Sequence, residues 1–342
     1  MNETYNESRN DVDSSLRILS ILKISSIIKD GDISNCKELI LKNRNIEECE
    51  ELYQMKNLQK IDLSENKLKD LKMVEMNLNL QQIILQKNII DNINYLNNIN
   101  NLTYLNLSYN KIKIIDHICQ LKNIKTLILA YNEIEKVPNL SSLQNLEVLI
   151  LKNNMIEKFT KPAKEMRHLK KISLSFNKIR EFYFGSHFSQ IYELRLNNNK
   201  LINISKDIIY MTNLKLLCIQ NNFIINQDFL NYLSQLNYLK NIVLSDNPFF
   251  KKMNVHLLNE LIKKLKYLKN INFVPIPPNR KFVNFPFDSS KKNNFLNDEN
   301  LNHMDCKPKF EQETKHYKKK ILPVNKNSHN IFKEKRRETN SY

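Results

Sequence analysis

The chain has 342 residues, with 53 lysines and arginines against 36 aspartates and glutamates, a net charge of +17 at neutral pH. Only two glycines occur, Gly31 and Gly185, which excludes a glycine-rich phosphate loop. No run approaches the roughly 18 uninterrupted apolar residues of a membrane-spanning helix, so no membrane partner is expected. Five cysteines, Cys36, Cys49, Cys119, Cys218 and Cys306, stand apart with no C-x-x-C pair, which fits reduced thiols in the cytosol or nucleus. The abundance of Asn, Lys and Ile points to AT-rich coding, so a lysine is not by itself a binding residue. The first segment with a pattern, SSLRILSILKISSIIKD, carries Leu16, Leu19, Ile24, Ile27 and Ile28 at roughly helical spacing and predicts a helical cap within residues 1–35. Arg17 and Lys23 interrupt it, and Asp11 and Asp13 stand where a secretory leader has basic residues, so it is not read as a leader.

From residue 36 the chain repeats itself. LTYLNLSYNKIKII at 102–115 returns 22 residues later as IKTLILAYNEIEKV. The template is Leu-x-x-Leu-x-Leu-x-x-Asn-x-Ile, and its asparagine recurs as Asn66, Asn88, Asn110, Asn132, Asn154, Asn177, Asn199, Asn222 and Asn247, at intervals of 22 to 25. An earlier copy keeps Leu39 and Leu41 but has Arg44 at the marker position, which makes ten copies. This period and pattern are those of leucine-rich repeats, each a strand plus a short return segment. The predicted fold is α/β: a right-handed solenoid with a parallel β-sheet on its concave face, a helical cap at each end, and a repeat domain over 36–275. One coil cannot cover its own apolar faces, so the copies must stack, with Leu105 and Leu107 against Leu127 and Leu129. The marker asparagines stand at the bend after each strand, where an amide can satisfy backbone groups stripped of partners. They are read as structural.

After the last repeat, VHLLNELIKKLKYL sets Leu257, Leu258, Leu261, Ile262, Leu265 and Leu268 on one helical face, which predicts a C-terminal cap helix. Leu268, Ile271 and Phe273 are expected to close the core as a last strand, and Pro275, Pro277 and Pro278 to end regular structure. Residues 276–342 read as a basic, disordered tail. From Asn279 onward there are 15 basic residues against 8 acidic, a net of +7.

Nothing in the chain is arranged for catalysis. Seven histidines are far apart with none in H-x-x-x-H spacing, and no nucleophile motif accompanies them, so neither enzyme activity, a metal nor a cofactor is expected. The N-x-S/T triplets inside the strands are by-products of the repeat. What varies is the outward strand positions, and there Tyr104, Tyr109, Ile128, Tyr131, Ile150, Phe176, Tyr192 and Arg195 form the expected partner-binding patch over the middle repeats. Aromatic residues and arginine are the types that dominate protein interfaces. The five outward positions of the ten repeats hold eleven basic residues and six acidic ones. That face is mildly basic, and a denser stripe would be expected of a nucleic-acid surface. In the tail, Lys318, Lys319, Lys320, Lys335, Arg336 and Arg337 are read as a solvated charge run.

The 22-residue spacing, the closing VLSDNPF and the helix ending LKYLKNINF resemble the intracellular leucine-rich repeat family with a dedicated C-terminal cap. That family includes a regulatory subunit of type-1 protein phosphatase, axonemal proteins and a spliceosomal protein. SLRILS, LKNRNIEECEEL and LQKIDLSENKLKDL look most like the axonemal, radial-spoke type. The resemblance implies a non-enzymatic scaffold, monomeric outside its complex, in the cytoplasm or axoneme, with the nucleus as the alternative. The implied partner is an axonemal protein or the phosphatase catalytic subunit, and RNA-associated splicing is a third implied role. Lys281, Val283 and Phe285 fit the short [Arg/Lys]-x-[Val/Ile]-x-Phe pattern that resembles phosphatase docking by strand addition, in a segment expected to be flexible and accessible. Lys269, Ile271 and Phe273 fit the same pattern inside the cap.

Overall fold

The computed structural model describes residues 17–28 and 32–285. The expected tail from residue 286 onward, and Leu16 of the expected cap, lie outside the described residues. Helix α1 covers Ile21–Ile27 and is shorter than the spacing predicts, because Ser20 caps it through its hydroxyl, 3.3 Å from the Lys23 N–H. Leu19 is not helical. It belongs to a two-residue strand, Ile18–Leu19, paired in parallel with Glu48–Cys49, where it is fully buried beside Ile24.

Ten three-residue strands follow, one per repeat: β1 (Glu38–Ile40), β2 (Lys60–Asp62), β3 (Gln82–Ile84), β4 (Tyr104–Asn106), β5 (Thr126–Ile128), β6 (Val148–Ile150), β7 (Lys171–Ser173), β8 (Glu193–Arg195), β9 (Leu216–Cys218) and β10 (Asn241–Val243). They lie side by side in chain order and pair in parallel, each residue facing its counterpart in the next copy, as Leu105 faces Leu127. A two-residue strand β11 (Asn270–Ile271) continues the sheet, and β12 (Val274–Pro275) closes it antiparallel. The middle residue of each strand turns inward: Leu105, Leu127, Leu149, Ile172 and Leu194 have at most 1% of their surface exposed. Most return segments are short 3-10 turns, such as Asp116–Gln120 and Lys206–Tyr210; in the repeat before β10 the return is helix α2 (Phe229–Leu233). Beneath the sixth and seventh repeats Phe159, Phe182, Phe184 and Phe188 pack together, with ring centroids 5.0 to 6.2 Å apart.

The asparagines tie the coils together. Asn132 donates from Nδ2 to the carbonyl of Leu129 in its own coil (3.1 Å) and to that of Leu107 in the coil before (3.0 Å), while its Oδ1 accepts the Ile112 N–H at 3.0 Å. The same three-way bonding recurs from Asn66 to Asn247. Because Asn66 accepts both the Arg44 and the Ile46 N–H, the first copy folds without its own marker asparagine. A second ladder runs outside the first. In most copies the residue just before the first leucine reaches back to a carbonyl of the previous coil: Asn57 to Ser34, Asn79 to Lys56, Asn101 to Leu78, Asn123 to Asn100, Asn145 to Lys122, and Asn213 to Ser189. His168 makes the equivalent contact to Gln144 through Nδ1, at 2.8 Å.

Helix α3 (Val255–Lys264) seals the C-terminal end by burying Leu258, Leu261 and Ile262. Its last carbonyls are met by Arg280, whose guanidinium lies 2.7 Å from the Leu265 oxygen and 3.1 Å from that of Ile262. Phe273 is not in the core as expected: it is 36% exposed, with a left-handed φ of 66°. Phe282 and Phe285 bury against the end instead, and the Asn259 amide holds the Phe282 backbone in both directions, at 2.8 and 2.9 Å. The cap therefore reaches Phe285, past the boundary at 275. The prolines end the strand, but the exposed end of the core still needs a cover.

Asn132→Ala strands a buried N–H and two carbonyls, so it is expected to cost about 3 kcal/mol or more, whereas Asn123→Ala, on the exposed outer ladder, is expected to cost about 1 kcal/mol. Urea unfolding of the two variants measures this. Equal midpoints would mean that the inner amide is not what joins the coils.

Candidate functional site

The residue before each marker asparagine has a left-handed backbone. Its φ lies between 52° and 61° in all ten copies, from Asn43 to Asp246. This conformation suits asparagine and aspartate, which occupy five of the ten positions, and costs other side chains about 1 kcal/mol or more. Tyr109, Tyr131 and Phe176 accept it nonetheless. With the intervening Lys152 they make a continuous run along the rim where the strands end. The Tyr109 and Tyr131 rings stack at 4.1 Å and 8°, and Lys152 Nζ stands 5.8 Å from the Tyr131 ring and 5.3 Å from that of Phe176. Burial, and then the neighbouring Tyr131 hydroxyl, raises the Tyr109 phenol above its ordinary range. Tyr109 is 46% and Phe176 37% exposed, and at one strand per step the run from Tyr109 to Phe176 is about 14 Å long.

Beside the run lies the middle of the sheet. Ile128 and Ile150 are direct neighbours across β5 and β6, and Tyr104 faces Thr126 one row nearer the strand starts. Val148, on the same face as Ile150, joins them. The floor between Ile128 and the tyrosines is lined by the small residues Ser108 and Ala130. Six of the expected residues, Tyr104, Tyr109, Ile128, Tyr131, Ile150 and Phe176, are thus brought into one surface.

The other two are engaged elsewhere. Tyr192 sits at the strand-entry side, with Lys215 Nζ 5.8 Å from its ring. Arg195 is drawn 2.6 Å from the Glu193 carboxylate, which also holds Lys171 at 3.0 Å and is only 2% exposed. Burial by itself would raise the Glu193 carboxyl, but Arg195 and Lys171 together outweigh it and hold it below the usual range. Lys152 and Val148 complete the surface. The signal for Lys152 was its place between two aromatic rim positions, visible only once the rim residues are known to touch.

Ion pairs between neighbouring strands neutralise part of the charge on this face: Lys60 with Glu38, Lys42 with Asp62, Lys87 with Glu65, and Lys170 with Glu147, at 2.7 to 3.0 Å. Burial pushes the Cys218 thiol, on the same face, up to about 12, which removes it as a nucleophile at neutral pH. Two open clefts of about 650 Å³ lie at the caps, one beside Leu22 and Tyr53, the other beside Lys263 and Lys281, away from this surface. The docking-like segment is not loose as expected. Val283 is 82% exposed and Lys281 is exposed, but Phe285 is 7% exposed and packs edge-on against Phe282 at 5.0 Å. Docking through Val283 and Phe285 together requires this segment to lift off α3.

Residues 122–164, which include the Tyr131 and Lys152 coils, match the family model for leucine-rich repeats in two copies. The fold is similar to the functional domain of InlJ from Listeria monocytogenes, at 22% identity and a TM-score of 0.59, over 71% of this chain and 50% of that one. It is also similar to a leucine-rich repeat protein of Leptospira interrogans, at 19% identity and a TM-score of 0.52, over 79% of this chain and 93% of that one. The chain therefore spans half the length of the InlJ domain. These likenesses concern the fold. No curated protein sequence matches the chain.

Glu193→Gln leaves Lys171 and Arg195 without their shared carboxylate in a nearly buried place, and a loss of about 3 to 5 kcal/mol is expected. Since its folded pKa lies below the unfolded one, wild-type Glu193 contributes stability above the unfolded value, which disappears as pH falls through the folded one. Chemical unfolding at neutral and acid pH should show the variant's deficit shrinking on acidification; a deficit independent of pH would contradict the assignment.

Proposed function

We propose that this leucine-rich repeat protein is a non-enzymatic scaffold whose concave sheet binds a protein partner, with Tyr109, Tyr131, Lys152 and Phe176 as the main contact. Leucine-rich repeat domains generally mediate protein–protein interaction, and stacked repeats offer one extended concave surface for it. The observation that carries the reading is backbone strain retained for exposed aromatic side chains. Asparagine would relieve the left-handed rim positions, yet three of four successive copies carry an aromatic residue there, Tyr109, Tyr131 and Phe176, and the first two hold stacked rings at the surface. Strain kept where packing does not need it is a mark of function. Ile128, Ile150 and Val148 add an apolar floor beside the rings, and interfaces concentrate their binding energy in such aromatic and aliphatic centres.

The resemblance to the capped intracellular family supplies the finer reading: an axonemal assembly protein as the partner and a cytoplasmic or axonemal location. The phosphatase-regulatory alternative uses the same sheet, and docking through Val283 and Phe285 as well would cost the C-terminal cap its cover. The splicing alternative differs in the partners it predicts.

Tyr109→Asn, Tyr131→Asn and Phe176→Asn in one chain exchange the stack for relaxed backbone, so stability is expected to stay within about 1 kcal/mol of wild type. Affinity purification with mass spectrometry is expected to lose a defined partner set in this variant, and the set lost names the pathway. An unchanged partner set with an intact fold would sink the reading. Phe285→Ala is expected to destabilise the cap by about 3 to 5 kcal/mol, and Val283→Ala to change stability by less than about 0.5 kcal/mol. Loss of a captured phosphatase catalytic subunit with Val283→Ala alone would favour the phosphatase alternative.

A further inference from the structure

The strand-entry edge of the sheet carries one position per coil just before each strand, and along it the charges change character. In the middle of the molecule the row is balanced, with Glu147 and Lys170 in an ion pair at 2.7 Å. The next coil has Tyr192, and then come Lys215, Lys240 and, in the cap coil, Lys269. These three are successive neighbours: the Lys240 N–H donates to the Lys215 carbonyl at 2.8 Å, and the Lys269 N–H to the Lys240 carbonyl at 2.7 Å. Side chains in this row reach from coil to coil, as Lys170 reaches Glu147 and Lys215 reaches Tyr192. Among the described residues no carboxylate pairs with Lys215, Lys240 or Lys269. Like charges on adjacent strands oppose each other, and elsewhere on the sheet an acid stands between the bases.

A second departure from the repeat falls at the same place. The outer ladder lapses once, at Gln190, whose amide bonds Ser189 beside it, resumes at Asn213, and then gives way at two successive positions to Tyr238 and Tyr267. They forgo the side-chain bond to the previous coil and stand 55% and 60% exposed, each two residues before one of the lysines. Two structural rules, paired charge and the outer ladder, are thus broken together over the last coils, and neither break helps the coil.

We propose that Lys215, Lys240 and Lys269, with Tyr238 and Tyr267, form a second contact region that takes an acidic, Asp/Glu-rich segment of a protein partner. A partner supplies the negative charge that this edge lacks. The region is continuous with the concave sheet, so it extends the binding face proposed above and rests on that reading for its partner being a protein. It also gives the face a direction: aromatic and apolar over the middle coils, cationic toward the C-terminal cap. A single-stranded nucleic acid would track a longer basic groove than three lysines provide.

The test is fluorescence anisotropy of the full chain with a labelled oligo-glutamate peptide, beside an oligouridine of equal length. Lys215→Gln, Lys240→Gln and Lys269→Gln together are expected to weaken peptide binding by about tenfold or more, with the wild-type affinity falling as salt is raised. Tyr238→Asn with Tyr267→Asn, which restores the ladder asparagines, is expected to weaken it while the melting temperature holds or rises. The Tyr109, Tyr131 and Phe176 variant is expected to bind the peptide as wild type does, which separates this region from the aromatic one. Peptide binding unchanged by the lysine variant would overturn the proposal even if the aromatic surface still captures its partner. Tighter, lysine-dependent binding of oligouridine would overturn it in favour of nucleic acid.

Discussion

A buried asparagine amide that bonds two coils at once is the interaction on which the remainder of the molecule depends. At each bend the chain leaves a strand and turns into the next return segment, and the turn strips an N–H and two carbonyls of their partners. The amide of Asn132 meets all three, two of them in the previous coil. Each such group would cost about 1 to 3 kcal/mol if left unpaired in the interior. Nine of these amides in series let a very narrow core be covered by short strands and shorter turns.

The same constraint decides where variety is allowed. Inward leucines and marker asparagines have no freedom, and the strands are only three residues long, so each coil offers a few outward positions and the rim residue. The first third of the sheet spends those positions on strand-to-strand ion pairs such as Lys60 with Glu38, which are worth little in energy but neutralise the face. The middle turns aromatic and aliphatic. The last third becomes cationic. That progression along a regular sheet is the argument for reading the face as one directional interaction surface, since no packing requirement of the coil produces it.

The ends follow different physics from the repeats. A stacked solenoid leaves a core face uncovered at each terminus, and a local sequence pattern tells that some cover exists but not how it packs. The expected N-terminal helix shrank to seven residues because Ser20 supplies a cap and Leu19 prefers the strand opposite Cys49. At the other end, Phe282 and Phe285 replaced Phe273 in the core, since the left-handed turn at Asn272 and Phe273 throws the latter ring outward. A docking-like pattern read as loose segment turned out to be part of the cover.

The repeat count, the parallel sheet, the inward leucines and the bonding role of the marker asparagines were all determined by the sequence itself, because one template copied at near-constant spacing has one way to bury itself. Six of the eight expected contact residues could also be placed on one face from the period alone. What only the tertiary structure decided was which outward residues touch: that Lys152 sits between Tyr131 and Phe176, that Glu193 takes Arg195 out of the aromatic surface, and that the rim rings stand on strained backbone. The Lys152 contacts join residues 21 and 24 positions apart, the Arg195 pair lies within one strand, and the rim is a backbone angle; all depend on side-chain reach or backbone geometry that a periodic pattern does not encode.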